Sequence, residues 1–164
     1  MTKGLLHQVS GIWSLRLCAD FFVVAVHKDP YENIYCVVRG HKDIILQPPS
    51  DVPWIPCRQL SPGVYRQERD GSWATESVPG ADKVSWVDID PRAPDIAKYP
   101  DYQNSSVYRV RLGPGDCLYL PSFWFHHLTQ SHGCVAVNYW YDMEFDVKYN
   151  YYNLLLNLKK ILKV

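Results

Sequence analysis

The residues best suited to chemistry stand far apart in the chain: His27-Lys28-Asp29, and the run Leu120-Pro121-Ser122-Phe123-Trp124-Phe125-His126-His127. Side chains alternate sides along an extended strand, so His27 and Asp29 would project together with Lys28 turned away. An imidazole and a carboxylate presented this way are two of the three ligands of a 2-His-1-carboxylate site for non-haem Fe(II). The third must be a histidine delivered from a distance, and His126-His127 offers one. Each element alone is weak. An HxD is often a surface or capping pair, and a histidine among aromatics is more often core than ligand. Lys42 adds weight, because a lysine pointing into a barrel is costly unless it meets an anion. So do Asn138 and Trp140, which share a strand face with Cys134 and Ala136, residues small enough to leave space for a ligand.

Strands must position these groups. Residues 21–26 are a continuous apolar run, as in a buried strand. Residues 34–38 and 43–47 read as two strands of a hairpin turning at Arg39-Gly40-His41-Lys42. Pro48-Pro49 ends the second. Residues 50–105 are rich in proline, aromatics and turn formers. Within them Asp70-Gly71 marks a hairpin tip, 84–88 a short strand, and 90–100 a loop with at most one helical turn. Further strands are expected at 107–112, 117–120 and 134–140, with a tight turn at 113–116. Only about 146–162 has helical spacing, carried by Val147, Tyr151, Leu154, Leu155, Leu158 and Ile161 or Leu162. Short strands followed by one helix predict an all-β chain, an antiparallel barrel or jelly roll. Residues 1–20 show no clear period and are expected to be weakly structured.

The 164 residues suit one domain, with 47% hydrophobic, 21% charged and 14% aromatic residues. Lys+Arg and Asp+Glu both number 17, so charge gives no reason to expect nucleic acid or an anionic membrane as partner. The 5 cysteines (18, 36, 57, 117 and 134) are odd in number, scattered and lack a CxxC. That argues against a disulfide framework or zinc knuckle and fits a reducing compartment. The apolar run at 21–26 is too short to span a bilayer, and Arg16 and Asp20 before it argue against a signal peptide. A cytoplasmic address, shared with the nucleus, is the expectation.

Three blocks, HKDPYENIYCVVRGHK from His27, LPSFWFHH from Leu120 and GCVAVNYWYDMEFDVKY from Gly133, together resemble one family. It is the jumonji-C, cupin-like oxygenases that use Fe(II) and 2-oxoglutarate. The resemblance runs from about His27 to Tyr152. It implies a double-stranded β-helix, incomplete at its N-terminus, with a divergent segment at 1–20 and the jumonji-C domain and C-terminal helix at 21–164. By position it implies that His27, Asp29 and His126 bind the iron and that Lys42 pairs with the distal carboxylate of 2-oxoglutarate. Asn33 and Asn138 would help hold this co-substrate, Tyr35 and Trp140 would line the pocket, and His127 would back the site or pack. The implied activity is hydroxylation of protein lysyl side chains with O2, releasing succinate and CO2. Translation-associated GTP-binding proteins are the implied substrates. A homodimer through the C-terminal helix is implied too, with packing of that helix on its own barrel as the alternative.

The sequence also departs from the family. His27 arrives after only 26 residues, where family members have a substantial N-terminal region. Val24 replaces the usual hydroxyl residue three before the first iron-binding histidine, and residues 1–26 show no resemblance. An alternative function is therefore a catalytically inactive, truncated form acting only as a metal- or partner-binding cupin module. Another cupin chemistry, such as an isomerase, is opposed by Lys42 and Asn138, which suit a dicarboxylate. A peptidase role finds no HExxH and no Ser or Cys triad pattern.

Overall fold

Two four-stranded antiparallel sheets pack around one core in the computed structural model, which describes residues 12–18 and 22–162. One sheet runs in the order β1 (Ile12–Cys18), β12 (Cys134–Asp142), β3 (Tyr31–Arg39), β10 (Cys117–Leu120). The other runs β2 (Phe22–His27), β11 (Phe125–Gln130), β4 (Lys42–Gln47), β9 (Tyr108–Leu112). Tyr35, Val37, Leu120, Cys134 and Ala136 of the first meet Ile44, Leu46, Leu112 and Leu128 of the second. This is the jelly roll that the short strands predict.

Two expectations about connectivity are corrected. Strands β3 and β4 are not a hairpin; they lie in different sheets and the chain arches between them. Gly40 makes the crossing possible. Its φ is +76°, and a Cβ there would come within 2.6 Å of Ser131 Oγ and 3.0 Å of the Cys134 Cα. The His41 N–H donates to Ser131 Oγ at 3.0 Å, tying the arch to the β11–β12 turn. A glycine turn serves a hairpin and an arch equally well, so the available sheet edges decide. Nor is the described part of the N-terminal segment, residues 12–18, without regular structure; the rest of 1–20 lies outside the described residues. Strand β1 pairs along β12 from Ile12↔Trp140 to Cys18↔Cys134. Trp13, Leu15 and Leu17 do alternate with Ser14 and Arg16, a period-2 signal that a short window hides.

Between β4 and β9 the chain makes a 3-10 turn (Pro49–Asp51), two small sheets and a second 3-10 turn (Pro100–Asn104). β5 (Cys57–Leu60) pairs with β8 (Val84–Val87), and β6 (Gly63–Gln67) with β7 (Trp73–Ser77) across the Asp70-Gly71 tip. β5 has no strand signal in the sequence. The arm β6–β7 is exposed on both faces.

Helix α1 (Val147–Leu162) closes a second core, with Tyr152 buried and Tyr149, Leu155 and Leu156 half-buried against Val26, Val52, Ile55, Phe123 and Phe125. The helix stands where the helical spacing puts it, and of the two faces left open for its apolar stripe most residues take the outer one. Of the residues at helical spacing only Leu155 turns inward, while Val147, Tyr151, Leu154, Leu158, Ile161 and Leu162 are exposed. Apolar residues occupy two sides of this helix. Its rotation is set by the Phe123–Tyr152 ring stack at 4.6 Å and by Lys159 Nζ, which donates to the carbonyls of Val52 and Ile55. Among the described residues no helix is long and apolar enough to cross a membrane.

The cysteines bring a further correction. Cys36 and Cys117 stand directly opposite each other in the β3–β10 register and form a disulfide. Their separation of 81 residues conceals a pairing that only strand register creates.

Candidate metal and co-substrate site

The two histidines meet because β2 and β11 are hydrogen-bonded neighbours with His27 opposite His126. The next aligned pair is Val24↔Leu128, so three steps on β2 match two on β11. This is a β-bulge, and it changes which residues face inward. In a regular strand Val24 and His27, three apart, would point to opposite sides. The bulge lets both line the interior, while Val26 joins the core beneath α1. His27 is the last residue of its strand and Asp29 lies in the following loop, so their convergence comes from the strand end and not from strand alternation. Lys28 does turn away: its Nζ sits 5.6 Å from the Phe123 ring centroid and 5.1 Å from that of Tyr152.

Each imidazole is oriented from behind. His27 Nδ1 bonds the Ala25 carbonyl and His126 Nδ1 the Trp124 carbonyl, both at 2.9 Å. A carbonyl only accepts, so Nδ1 carries the proton and Nε2 keeps its lone pair, the arrangement of a metal-ligating histidine. The two Nε2 atoms lie 3.7 and 3.8 Å from Asp29 Oδ2. All three donor atoms fall within 4.8 Å of one another. Donors about 2 Å from a shared ion are spaced on this scale. Burial pushes the His126 pKa down to about 4, with the neighbouring His27 adding to the effect. The neutral ring needed for ligation is thereby favoured.

One cavity of roughly 180 Å³ gathers all eight candidate residues: His27, Asp29, His126, Asn33, Tyr35, Lys42, Asn138 and Trp140. Lys42 is buried; its Nζ donates to Gln130 Oε1 and lies 4.9 Å from the Tyr35 ring centroid. Gln130 is a site residue that the sequence reading missed. It shares the inward face of β11 with His126 and Leu128, so strict alternation from His126 would have found it. His127 faces the other way, buried beside Arg92 and Asp90.

Among the described residues, Asn33 Oδ1, Asn138 Oδ1 and Gln130 Nε2 are buried in the cavity without a hydrogen-bond partner. Leaving such groups unsatisfied costs about 1–3 kcal/mol each. A small polar molecule would satisfy them, the amide ends being free to exchange donor and acceptor. The donor set at one end thus suits a metal, and the lysine and amides suit an oxygen-rich ligand. A second, larger cavity of roughly 460 Å³ meets the first at His27, which stacks on Trp86 at 6.3 Å.

Comparison with known proteins follows the geometry. Residues 6–147 match the family described as "Cupin-like domain". The match takes in 6–26, where the sequence reading saw no resemblance. The chain is 47% identical over 138 residues to the human bifunctional peptidase and (3S)-lysyl hydroxylase JMJD7, covering 84% of this chain and 44% of that protein. It is 38% identical to the lysine-specific demethylase JMJ32 of Arabidopsis thaliana, over 88% of this chain and 46% of the relative. Against JmjC domain-containing protein E of Dictyostelium discoideum the identity is 32%, with the same two coverages of 88% and 46%. The chain spans about half the length of these curated relatives.

Proposed function

From the premise that this chain belongs to the cupin-like, jumonji-C domain family, we propose that it is an Fe(II)- and 2-oxoglutarate-dependent hydroxylase of protein lysyl side chains. The observation that carries this reading is the single cavity with the His27–Asp29–His126 cluster at one end and Lys42–Gln130 at the other. Register fixes that layout. His126 faces Leu46 and Gln130 faces Lys42, four residues along β11, or ~13 Å between Cα atoms. Lys42 and His126 line the same cavity at its two ends, and the gap between them suits a short dicarboxylate.

His27, Asp29 and His126 would hold the iron from one side. Bound there with 2-oxoglutarate and O2, it supplies oxidative decarboxylation to succinate and CO2 coupled to hydroxylation of a C–H bond. Lys42 would take the distal carboxylate, while Asn33, Asn138 and Gln130 offer the unpaired amide atoms that orient the co-substrate. Tyr35, Leu128 and Trp140 wall the cavity against water. Val24 stands where a hydroxyl would add one more bond, a loss of ~1 kcal/mol. A protein side chain would approach through the larger cavity beside His27 and Trp86. The names of two relatives both concern lysine, which supports a lysyl target; translation-associated GTP-binding proteins are the proposed substrates. The exposed apolar side of α1 supports a homodimer formed through that helix.

Anaerobic titration with Fe(II) and 2-oxoglutarate tests the site by the metal-to-ligand absorption band. Turnover with lysine- and methyllysine-containing proteins, followed by mass spectrometry, then separates hydroxylation (addition of one oxygen) from loss of a methyl group. A chain that gives neither band nor succinate is not an oxygenase.

A further inference from the structure

The turn between β10 and β11, residues 121–124, touches both ligand-bearing segments. The Phe123 N–H donates to the Asp29 carbonyl at 2.9 Å. One residue later, the Trp124 carbonyl accepts from His126 Nδ1 at 2.9 Å. Phe123 has a φ of +65°, a left-handed conformation that side chains with a Cβ rarely adopt. Such a conformation persists only where the surroundings impose it. On one side the imposition is aromatic, since the Phe123 ring stacks on Tyr152 of α1 at 4.6 Å and 6°. On the other it is Glu32.

Glu32 lies on β3, three residues after Asp29, and its carboxylate collects four donors. Oε2 accepts from Tyr119 OH at 2.6 Å and from the Ser122 N–H at 3.2 Å. Oε1 accepts from Ser122 Oγ at 3.1 Å and from Lys148 Nζ at 2.7 Å. The side chain is 18% exposed. Burial alone would raise its pKa, yet the bonds from Lys148, Tyr119 and Ser122 hold it below the ordinary value, so the group stays ionised. One carboxylate therefore ties β3, the end of β10, the 121–124 turn and α1 together. Two of its four bonds go to Ser122, directly before the strained residue.

We propose that Glu32 is a positioning residue for the metal site: through Ser122 it fixes the 121–124 turn, and the turn sets the spacing between Asp29 and His126. This rests on the reading of His27, Asp29 and His126 as metal ligands. The competing role for Glu32 is to anchor α1 through Lys148, and the two arms are separable by substitution.

The test uses the whole metal-free chain and Co(II) as the probe. It follows affinity by titration, ligand geometry by the visible ligand-field spectrum, and thermal unfolding without metal. Wild type is expected to bind Co(II) with a defined spectrum. Glu32→Gln and Ser122→Ala should each weaken binding by about 10-fold or more and shift the spectrum, as losses behind metal ligands do. Lys148→Met should lower the melting temperature and leave the spectrum and affinity unchanged. Should Glu32→Gln fail to fold, Ser122→Ala carries the test, since it leaves the carboxylate and its lysine in place. Wild-type spectra and affinity in both Glu32→Gln and Ser122→Ala would overturn the proposal. So would a Lys148→Met spectrum shifted as far as that of Ser122→Ala. If wild type itself binds no Co(II), the metal reading fails, and the proposal falls with it.

Discussion

At the scale of single residues, the two adjacent histidines separate most sharply. His126 is inward with Nε2 directed at Asp29, whereas His127 is buried on the other side of β11. His126→Ala should abolish Fe(II) binding measured anaerobically, while His127→Ala should retain it and lose stability instead. Retention of iron by His126→Ala would remove it from the ligand set. Lys42 carries the second residue-scale expectation. A charge-assisted contact to the co-substrate is worth about 1.5–3 kcal/mol, so Lys42→Met should weaken 2-oxoglutarate binding by roughly 10- to 100-fold. Iron affinity should not change in that variant. Equal 2-oxoglutarate affinity in wild type and Lys42→Met would place the carboxylate elsewhere.

At the scale of elements, the β10–β11 turn is the strained piece. Phe123 is buried and left-handed at once, so its two roles can be divided. Phe123→Ala removes the ring and keeps the unfavourable φ, at about 3–5 kcal/mol. Phe123→Gly removes the ring and relieves the φ, by ~1 kcal/mol. Glycine should therefore be the less damaging substitution in denaturant unfolding, reversing the usual order. An alanine variant as stable as the glycine variant would mean that φ carries no cost. The β3–β4 arch gives a matching expectation. Gly40→Ala meets both a positive φ and Ser131 Oγ at 2.6 Å, and should cost more than ~1 kcal/mol.

At the scale of the whole molecule, α1 presents apolar residues to both barrel and solvent. Tyr152 faces inward at 3% exposure, whereas Leu154 at 53% and Ile161 at 72% face outward. Leu154→Gln with Ile161→Gln should change unfolding free energy by no more than ~0.5 kcal/mol each. The same pair should suppress concentration-dependent association in sedimentation velocity, because the outward stripe is what a second copy would cover. Wild type that stays monomeric at high concentration would remove the helix as a dimer face. The Cys36–Cys117 bridge closes a loop across an 81-residue separation, which constrains the unfolded chain by about 4.5 kcal/mol in the loop-entropy account. Reduction should accordingly lower the melting temperature, and a Cys117→Ser variant should melt like the reduced protein.

Much of this was written locally. Short runs of strand-forming residues bounded by turn signals mark β2, β3, β4, β9, β10 and β12 in the sequence, and the Asp70-Gly71 tip needs only its own residues. The candidate ligands His27, Asp29 and His126 were legible because metal chemistry demands those residue types, and Lys42 because a buried ammonium asks for an anion. What the sequence could not hold is which strand lies beside which. Sheet order turned an expected hairpin into an arch, gave β1 its partner in β12, and set Cys36 against Cys117. The bulge opposite His127 changed which β2 residues face the cavity, and the register of β4 against β11 put Gln130 beside Lys42. The rotation of α1 was likewise decided by Phe123 and by two carbonyls far away in the chain. Each of these depends on contacts between distant segments. Hydrophobic periodicity tells a segment which of its faces to bury, but only the folded partner determines what that face will meet.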